Sequence, residues 1–538
     1  MHYKVLVTDE ISDHGLRSLM EHPHFSVDKR IGLPPRDIKE IIKNYDALIV
    51  RSQTQVTEEV LHNADRLKVI ARAGVGIDNI DVNAATRKGI IVINAPGANT
   101  IAATEHTLAM MLSLVKHIPQ AHRITSEGIW NRSAFKGIEL YKKTLGIIGM
   151  GKIGTEVAKR AKSFGMTILG YDPYLTEERA KKIGVTNASL EQIARESDII
   201  TLHTPLTNET RSLIDDDYLS KTKSGVRIIN CARGGILDEN ALIRALQSGH
   251  VAGAALDVFE NEPVIKKELL EHPNIIVTPH LAASTVEAQE KVAEEVSAEI
   301  IEIFETNSIH NAVNMPQITG GAQHKLQPFL ILGEQLGQLS VQLLKQAPDK
   351  IEINFYGDLI DEDTDLLTRM MIKGILSYHF KDSVNAINAF HLLKEKGVPY
   401  TVQKNAANKG FANYMELVIS RENKTASIGA TVLNGYGARI VKMNTYRVDV
   451  KPERYLLYIC HQDVPGMIGK VGSILGDYEI NIGTMQVGRT AVGGDAIMVL
   501  TLDKKADIGV IKQLGLIKGL KEIENLELPA PSANQSIF

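Results

Sequence analysis

Apolar residues in the first third of the chain fall into short unbroken runs that end abruptly at polar residues or glycine. YKVLVTDE (from Tyr3), YDALIVRS (from Tyr45), LKVIARAGVG (from Leu67) and GIIVINAPG (from Gly89) share this form, with helix-length stretches between most of them. Runs apolar on both faces and rich in β-branched residues predict buried parallel strands. A long amphipathic stretch, TIAATEHTLAMMLSLVK from Thr100 to Lys116, predicts a helix. After the polar connector EGIWNRSAFKG a second series of the same kind starts at KTLGIIGMGKIG. Its strands are TLGII, TILGYD, DIITLHTP, VRIINCARGG, VAGAALDVF and NIIVTPH. A clean break between two βα series predicts two doubly wound lobes joined by the helix from Thr100, with a ligand cleft between them. The helical run VEAQEKVAEEVSAEIIEIFE, from Val286 to Glu305, is long enough to cross back to the first lobe, which is therefore expected to be discontinuous.

After NAVNMP (311–316) the texture changes to a Gln- and Gly-bearing helical stretch, a strand KIEINFYG, and further helices and strand-like runs to about Val450. From Tyr455 the order YLLYICHQD, a helix from Pro465 to Leu475, INIGTMQVGR, DAIMVLTLD and a helix near Ile508 forms a βαββαβ unit. The expected architecture is α/β. A discontinuous substrate-binding lobe takes 1–98 and 286–315, a Rossmann lobe 99–285, an α+β intervening domain 316–450 and the βαββαβ domain 453–528.

Composition narrows the function by exclusion. A length of 538 residues sets a prior of roughly three to four folding units. Lys plus Arg number 60 against 64 Asp plus Glu, and no long block of one sign occurs, which excludes a nucleic-acid coat and a polybasic membrane anchor. The two cysteines, Cys231 and Cys460, cannot build a disulfide framework or a cysteine-rich metal site, and no metal ligands are assigned. No apolar run reaches the roughly 18 residues that span a bilayer, and the amino terminus lacks the layout of an export signal. The expected setting is a reducing cytoplasm.

The candidate chemistry starts at GMGKIG, between the strand LGII and a helix-forming run. Gly149 allows a tight turn, Gly151 lets backbone approach a pyrophosphate, and Gly154 lets helix and strand pack; Lys152 and Ile153 complete the turn. Asp172 ends the next strand 18 positions after Gly154, near the ~20 expected of an acid that binds the adenosine ribose. A carboxylate there favours NAD over NADP. Ligands of open parallel sheets sit beyond the carboxyl ends of strands, and those ends carry Thr204, Pro205, Arg233, Asp257, Glu262 and His280. His280 has the chemistry of a base for a substrate hydroxyl, Glu262 that of a partner fixing its tautomer, and Arg233 that of a fork for a carboxylate. Cys231 lies among apolar strand residues and reads as packing. In the first lobe Arg51 and Arg72 end two strands, just before the loop Gly74–Val75–Gly76. A second arginine site beside Arg233, with amides from Gly74 and Val75, suits a substrate bearing both a carboxylate and a phosphate.

ARGG (Arg233), ENEP (Glu262) and PHLAAST (His280), following GMGKIG and YDP, resemble the D-isomer-specific 2-hydroxyacid dehydrogenases over roughly residues 1 to 315. The resemblance implies the roles given above and places Thr104, Thr204, Cys231, Ala232, Asp257 and His280 along the cofactor. One departure is Ala282, which stands where the family's HLGAST has glycine. RSQTQVT, ARAGVGIDNID, NCARGGILDE and GAALDVFENEP are most similar to the branch that oxidises 3-phospho-D-glycerate to 3-phosphooxypyruvate, opening phosphorylated serine synthesis. That branch implies a phosphate contact from Arg132, supplied by a neighbouring subunit, and a homodimer or homotetramer. HQDVPGMIGKVGSILGDYEINI resembles ACT regulatory domains, implying an L-serine effector held between paired copies, with Asp463 and Asn481 as its contacts. Lys442, Arg439 and Arg447 read as a solvated basic face. Two alternatives remain open at this stage: a dehydrogenase for glycerate or 2-oxoglutarate, and a non-enzymatic NAD-sensing co-repressor.

Overall fold

The computed structural model describes residues 2–316, 320–407 and 409–530. Residues 317–319, at the start of the expected intervening domain, lie outside the described residues. The first sheet has five parallel strands in the spatial order Phe25–Lys29, Tyr3–Val7, Ala47–Val50, Val69–Arg72 and Ile91–Asn94. The pattern along the chain identifies four of these. Phe25–Lys29 escapes because FSVDK is an edge strand with a single fully buried residue, so it has no apolar run to show.

The second sheet is also parallel, in the order Ile275–Val277, Val251–Leu256, Val226–Asn230, Ile199–Leu202, Thr144–Ile148, Thr167–Tyr171 and Thr186–Asn187. Strand order reverses between Ile199–Leu202 and Thr144–Ile148, which puts the turns after both strands side by side at the switch point. Helix Thr100–Lys116 links the lobes and lies against the glycine-turn helix Lys152–Ser163.

Helix Val286–Thr306 returns to the first sheet and packs along helix Asp13–Met20. Contact is close because Gly15 has no side chain; a Cβ there would run into Ala293 and the Glu290 carbonyl. Ser297 Oγ donates to the Gly15 carbonyl across the same seam at 3.2 Å. The segment that follows adds to the sheet edge, where the Val313 amide donates to the Val92 carbonyl at 2.7 Å.

A six-stranded mixed sheet follows, with Lys350–Gly357 parallel to Tyr400–Asn405 and the other neighbours antiparallel, packed on helices Gly320–Leu344 and Asp365–Phe380. Asn385 ties this unit to the first lobe by donating to the Gly89 carbonyl at 2.7 Å. The terminal βαββαβ unit has strand order Ile482–Arg489, Asp495–Leu502, Tyr455–Gln462 and Leu520–Glu527. One apolar core runs from Val5, Ile49 and Val296 in the first lobe through Leu336 and Phe355 to Leu456 and Val499 in the terminal unit. The Rossmann lobe keeps its own two cores. Among the described residues no helix is long and apolar enough to cross a membrane.

Candidate active site

The glycine turn is built as its spacing requires. Gly149 takes φ +100°, which a side chain would resist, and a Cβ there would strike the His203 carbonyl from the neighbouring strand end. A Cβ on Gly154 would strike the Gly149 carbonyl, so the helix can sit this close only with glycine at that position. Gly151, the N-cap of helix Lys152–Ser163, faces open space. Thr204 Oγ1, beside the turn, is buried with no hydrogen-bond partner among the described residues. An open helix start and an orphaned hydroxyl at the switch point fit a dinucleotide pyrophosphate. Asp172 accepts from the Met150 amide at 2.9 Å and from the Tyr174 amide at 2.9 Å, which fixes the acid against the turn. Lys152 Nζ reaches across to the Pro96 carbonyl of the first lobe at 3.4 Å.

Asp257 organises the far side of the cleft. Fully buried, it accepts from Thr278 Oγ1 at 2.6 Å, the Leu281 amide at 2.7 Å and the Ala282 amide at 2.9 Å, with His106 Nε2 at 3.2 Å. Burial pushes its pKa up, but the bonds from His106, Thr278 and the two amides outweigh that and hold it below the usual carboxylate range. These bonds pin the loop that carries His280, which adopts φ +54°. His280 Nδ1 lies 2.8 Å from Glu262 Oε2, and Glu262 Oε1 accepts from the Phe259 amide at 3.0 Å. Burial raises the Glu262 pKa, yet the bonds from His280 and Phe259 win and keep it lowered, so it faces the ring as an anion. Ala282 is buried in the Rossmann core with a backbone that does not need glycine, so the departure from HLGAST is accommodated. Cys231 is buried too, which pushes its thiol up to about 12, with the Asp257 charge adding to the shift; it is packing rather than a nucleophile.

Arg233 crosses from the Rossmann lobe to the first. Its Nε donates to Asp78 Oδ2 at 3.1 Å and its Nη1 to the Ala232 carbonyl at 2.7 Å, while its Nη2 lies over Gly76. Arg72 is half-buried next to it, and its Nε, itself buried, has no hydrogen-bond partner among the described residues. Burial, then the charges of Arg233 and Arg51, push Arg72 from 12.5 down to about 10, with Asp78 and Asp9 only partly offsetting them. Three guanidinium groups thus converge with an unmet need for an anion. Gly74 lies against the Arg72 side chain, and the Val75 carbonyl accepts from Asn94 at 2.6 Å. Arg132, by contrast, sits in the exposed turn Arg132–Ala134, and its side chain makes no hydrogen bond or ion pair among the described residues.

Several residues that shape the site are not marked in the sequence. Asp9 accepts from the Arg51, Gln53 and Thr54 amides and so bends the chain after Val50. Asn230 accepts from the Ala232 amide and donates to the Arg233 carbonyl, forming the turn that presents Arg233. Asp9 follows the first strand at that sheet's own switch point, the one signal that could have singled it out.

In the terminal unit Asp463 Oδ2 is held by Arg489 and the Gly493 amide, both at 3.1 Å, and the exposed Asn481 donates its amide to Asp503 at 3.1 Å. The basic face expected at Lys442 and Arg439 is not free. Lys442 bonds the buried Glu416 two strands away, across Gly429, and Arg439 pairs with Asp449 of the next strand at 3.4 Å. Arg447 remains exposed.

Comparison with known proteins agrees with this geometry. Family profiles match as "D-isomer specific 2-hydroxyacid dehydrogenase, NAD binding domain" over 108–282, "D-3-phosphoglycerate dehydrogenase intervening domain" over 325–444 and "ACT domain" over 454–515. A D-3-phosphoglycerate dehydrogenase of Bacillus subtilis is 44% identical over 528 residues, covering 98% of this chain and all of the relative. The chain belongs to the D-3-phosphoglycerate dehydrogenases. A member of that family from Methanocaldococcus jannaschii is 42% identical, again over 98% of this chain and 100% of the relative. Among solved structures, D-lactate dehydrogenase from Aquifex aeolicus, complexed with NAD and lactic acid, matches with TM-score 0.50 and 31% identity over 58% of this chain and 100% of that one. The TT0316 protein of Thermus thermophilus matches with TM-score 0.54 and 33% identity over 58% and 99%. As in its family, the cofactor of the Rossmann lobe is NAD.

Proposed function

We propose that the chain oxidises 3-phospho-D-glycerate to 3-phosphooxypyruvate with NAD, the entry to phosphorylated L-serine synthesis. The observation that carries the substrate is the cluster of Arg51, Arg72 and Arg233, in which the buried Nε of Arg72 has no hydrogen-bond partner among the described residues. A phosphate and a carboxylate together satisfy it; a monoanionic hydroxy acid does not.

Arg233 holds the substrate carboxylate and polarises the C2 oxygen, while Arg51, Arg72 and the Gly74–Val75 loop take the phosphate. His280 accepts the C2 hydroxyl proton, and Glu262 stabilises the imidazolium this creates. The nicotinamide, when bound, supplies the acceptor for the C2 hydride. Asp257 keeps the His280 loop in place, and Asp172 and the glycine turn hold the adenosine ribose and pyrophosphate.

The same reading assigns L-serine as an effector between paired terminal units in a cytoplasmic homodimer or homotetramer. Ile468 and Leu516, 54% and 77% exposed, support an apolar pairing face there. Arg132, exposed as it is, suits a phosphate contact across the subunit boundary.

Steady-state kinetics with NAD tests the assignment, with glycerate and 2-oxoglutarate as competing substrates. Arg51→Ala and Arg72→Ala are expected to raise KM for 3-phosphoglycerate and leave that for glycerate alone. An unchanged KM for the phosphorylated acid would remove the phosphate site. His280→Ala is expected to lower kcat by at least ~10². Initial rates with and without millimolar L-serine test the effector.

A further inference from the structure

At the amino-terminal edge of the first sheet, opposite the strand ends that face the cleft, two histidines and a glutamate stand together. His22 and His24 flank Pro23 in the turn that leads into strand Phe25–Lys29, and Glu305 lies in the last turn of helix Val286–Thr306. A nitrogen of each ring and a carboxylate oxygen lie within 4.8 Å of one another. His24 Nδ1 and Glu305 Oε1 are already 2.7 Å apart, although 281 positions separate them in sequence.

The three side chains stand on a packed aromatic base. The His22 ring meets Phe25 edge-on at 5.1 Å, Phe304 meets Phe25 at 5.8 Å, and Tyr3 meets Phe304 at 4.4 Å. Each ligand arm is therefore rooted next to a buried or half-buried ring, and closing the remaining gap needs only side-chain rotation. The His24 amide donates to His22 Nδ1 at 3.3 Å, which orients that ring.

We propose that His22, His24 and Glu305 bind one divalent ion of the zinc class. Two imidazoles and one carboxylate match its ligand preference, whereas magnesium and calcium favour all-oxygen sets. Water fills the fourth position, since the His24 and Glu305 side chains are 50% and 33% exposed. On binding, His24 turns Nδ1 to the ion and carries its one ring proton on Nε2. The ion would fasten the turn before Phe25 to the end of the returning helix, joining two stretches of one lobe that are remote in sequence. Because the unfolded chain lacks this arrangement, the ion stabilises the folded state by mass action.

The test uses the full chain, stripped with a chelator, titrated with Zn2+ against a chromophoric competitor and melted with and without Zn2+. Wild type is expected to bind one equivalent more than His24→Ala or His22→Gln, and to gain several degrees of Tm with Zn2+ that both variants lack. His310→Ala serves as the control. It breaks a separate pair with Glu302, 2.9 Å apart, and is expected to behave as wild type. NAD-linked turnover of His24→Ala is expected to be unchanged, which separates this site from the catalytic cleft. Equal stoichiometry and equal Tm gain in wild type and His24→Ala would overturn the proposal, as would loss of the same equivalent in His310→Ala.

Discussion

The buried carboxylate of Asp257 lies 2.7 Å from the backbone amide of Leu281, so a strand end 24 positions upstream sets where the residue after His280 stands. Removing that carboxylate strands two amides, the Thr278 hydroxyl and the His106 ring at once. Buried groups left unsatisfied cost about 1–3 kcal/mol each. Asp257→Ala is therefore expected to lower both the denaturation midpoint and kcat, read by chemical unfolding and steady-state kinetics. The pH dependence has a definite sign. A carboxyl held below its ordinary value contributes stability that is present in full above the unfolded pKa near 4 and is lost as pH falls through the folded one. Tm of the wild type is expected to stay level near neutrality and to fall in acid more steeply than that of Asp257→Asn.

Arg72 makes the opposite trade. Its displacement from 12.5 to about 10 by burial and by two neighbouring guanidinium groups corresponds to about 3 kcal/mol of unfavourable charge in the free protein. Arg72→Met relieves that charge at a half-buried site, where an apolar replacement is often neutral or stabilising. The variant is expected to melt no lower than wild type while its KM for 3-phosphoglycerate rises by about 10-fold or more. Inorganic phosphate is expected to raise the wild-type Tm and leave that of the variant unchanged. A variant that loses Tm yet keeps its KM would show Arg72 to be structural.

Asp172 serves both the glycine turn and the ribose, and two substitutions separate these tasks. The Met150 amide bonds Oδ2 and the Tyr174 amide Oδ1, so Asp172→Asn keeps an acceptor for one of the two and loses the charge, whereas Asp172→Ala loses both acceptors and the charge. Hydrogen bonds to charged groups contribute about 1.5–3 kcal/mol, so either change is expected to cost roughly 10- to 100-fold in kcat/KM with NAD. Discrimination against NADP is expected to narrow in both, the more readily because Arg179 already stands at the turn, 3.0 Å from the Met150 carbonyl. Parallel kcat/KM measurements with the two coenzymes decide it.

Much of the architecture is legible in the chain because buried parallel strands are apolar throughout. Strands Ala47–Val50 and Ile199–Leu202 are buried at every residue, and their runs stand out. Phe25–Lys29 and the two-residue strand Thr186–Asn187 lie at sheet edges and leave no such mark. Motif spacing shows Gly149, Asp172, Arg233, Glu262 and His280, which the fold brings to the switch point and the cleft. Asp9, Asn230 and His106 stay hidden because they act by holding backbone or another side chain, and such partnerships arise only once distant segments meet. The same limit explains Lys442, whose neutralising Glu416 sits two strands away, reached across Gly429 of the strand between them. His24 and Glu305, at opposite ends of a lobe's sequence, are a further case.

The apolar core that continues from Val5 and Ile49 through Leu336 to Leu456 and Val499 has a consequence for unfolding. The terminal unit and the lobe bearing Arg51 and Arg72 share one interior, so their stabilities are tied together. The nucleotide lobe has a separate interior. Loss of structure in the terminal unit is therefore expected to spread to the lobe bearing Arg51 and Arg72 before it reaches the nucleotide lobe.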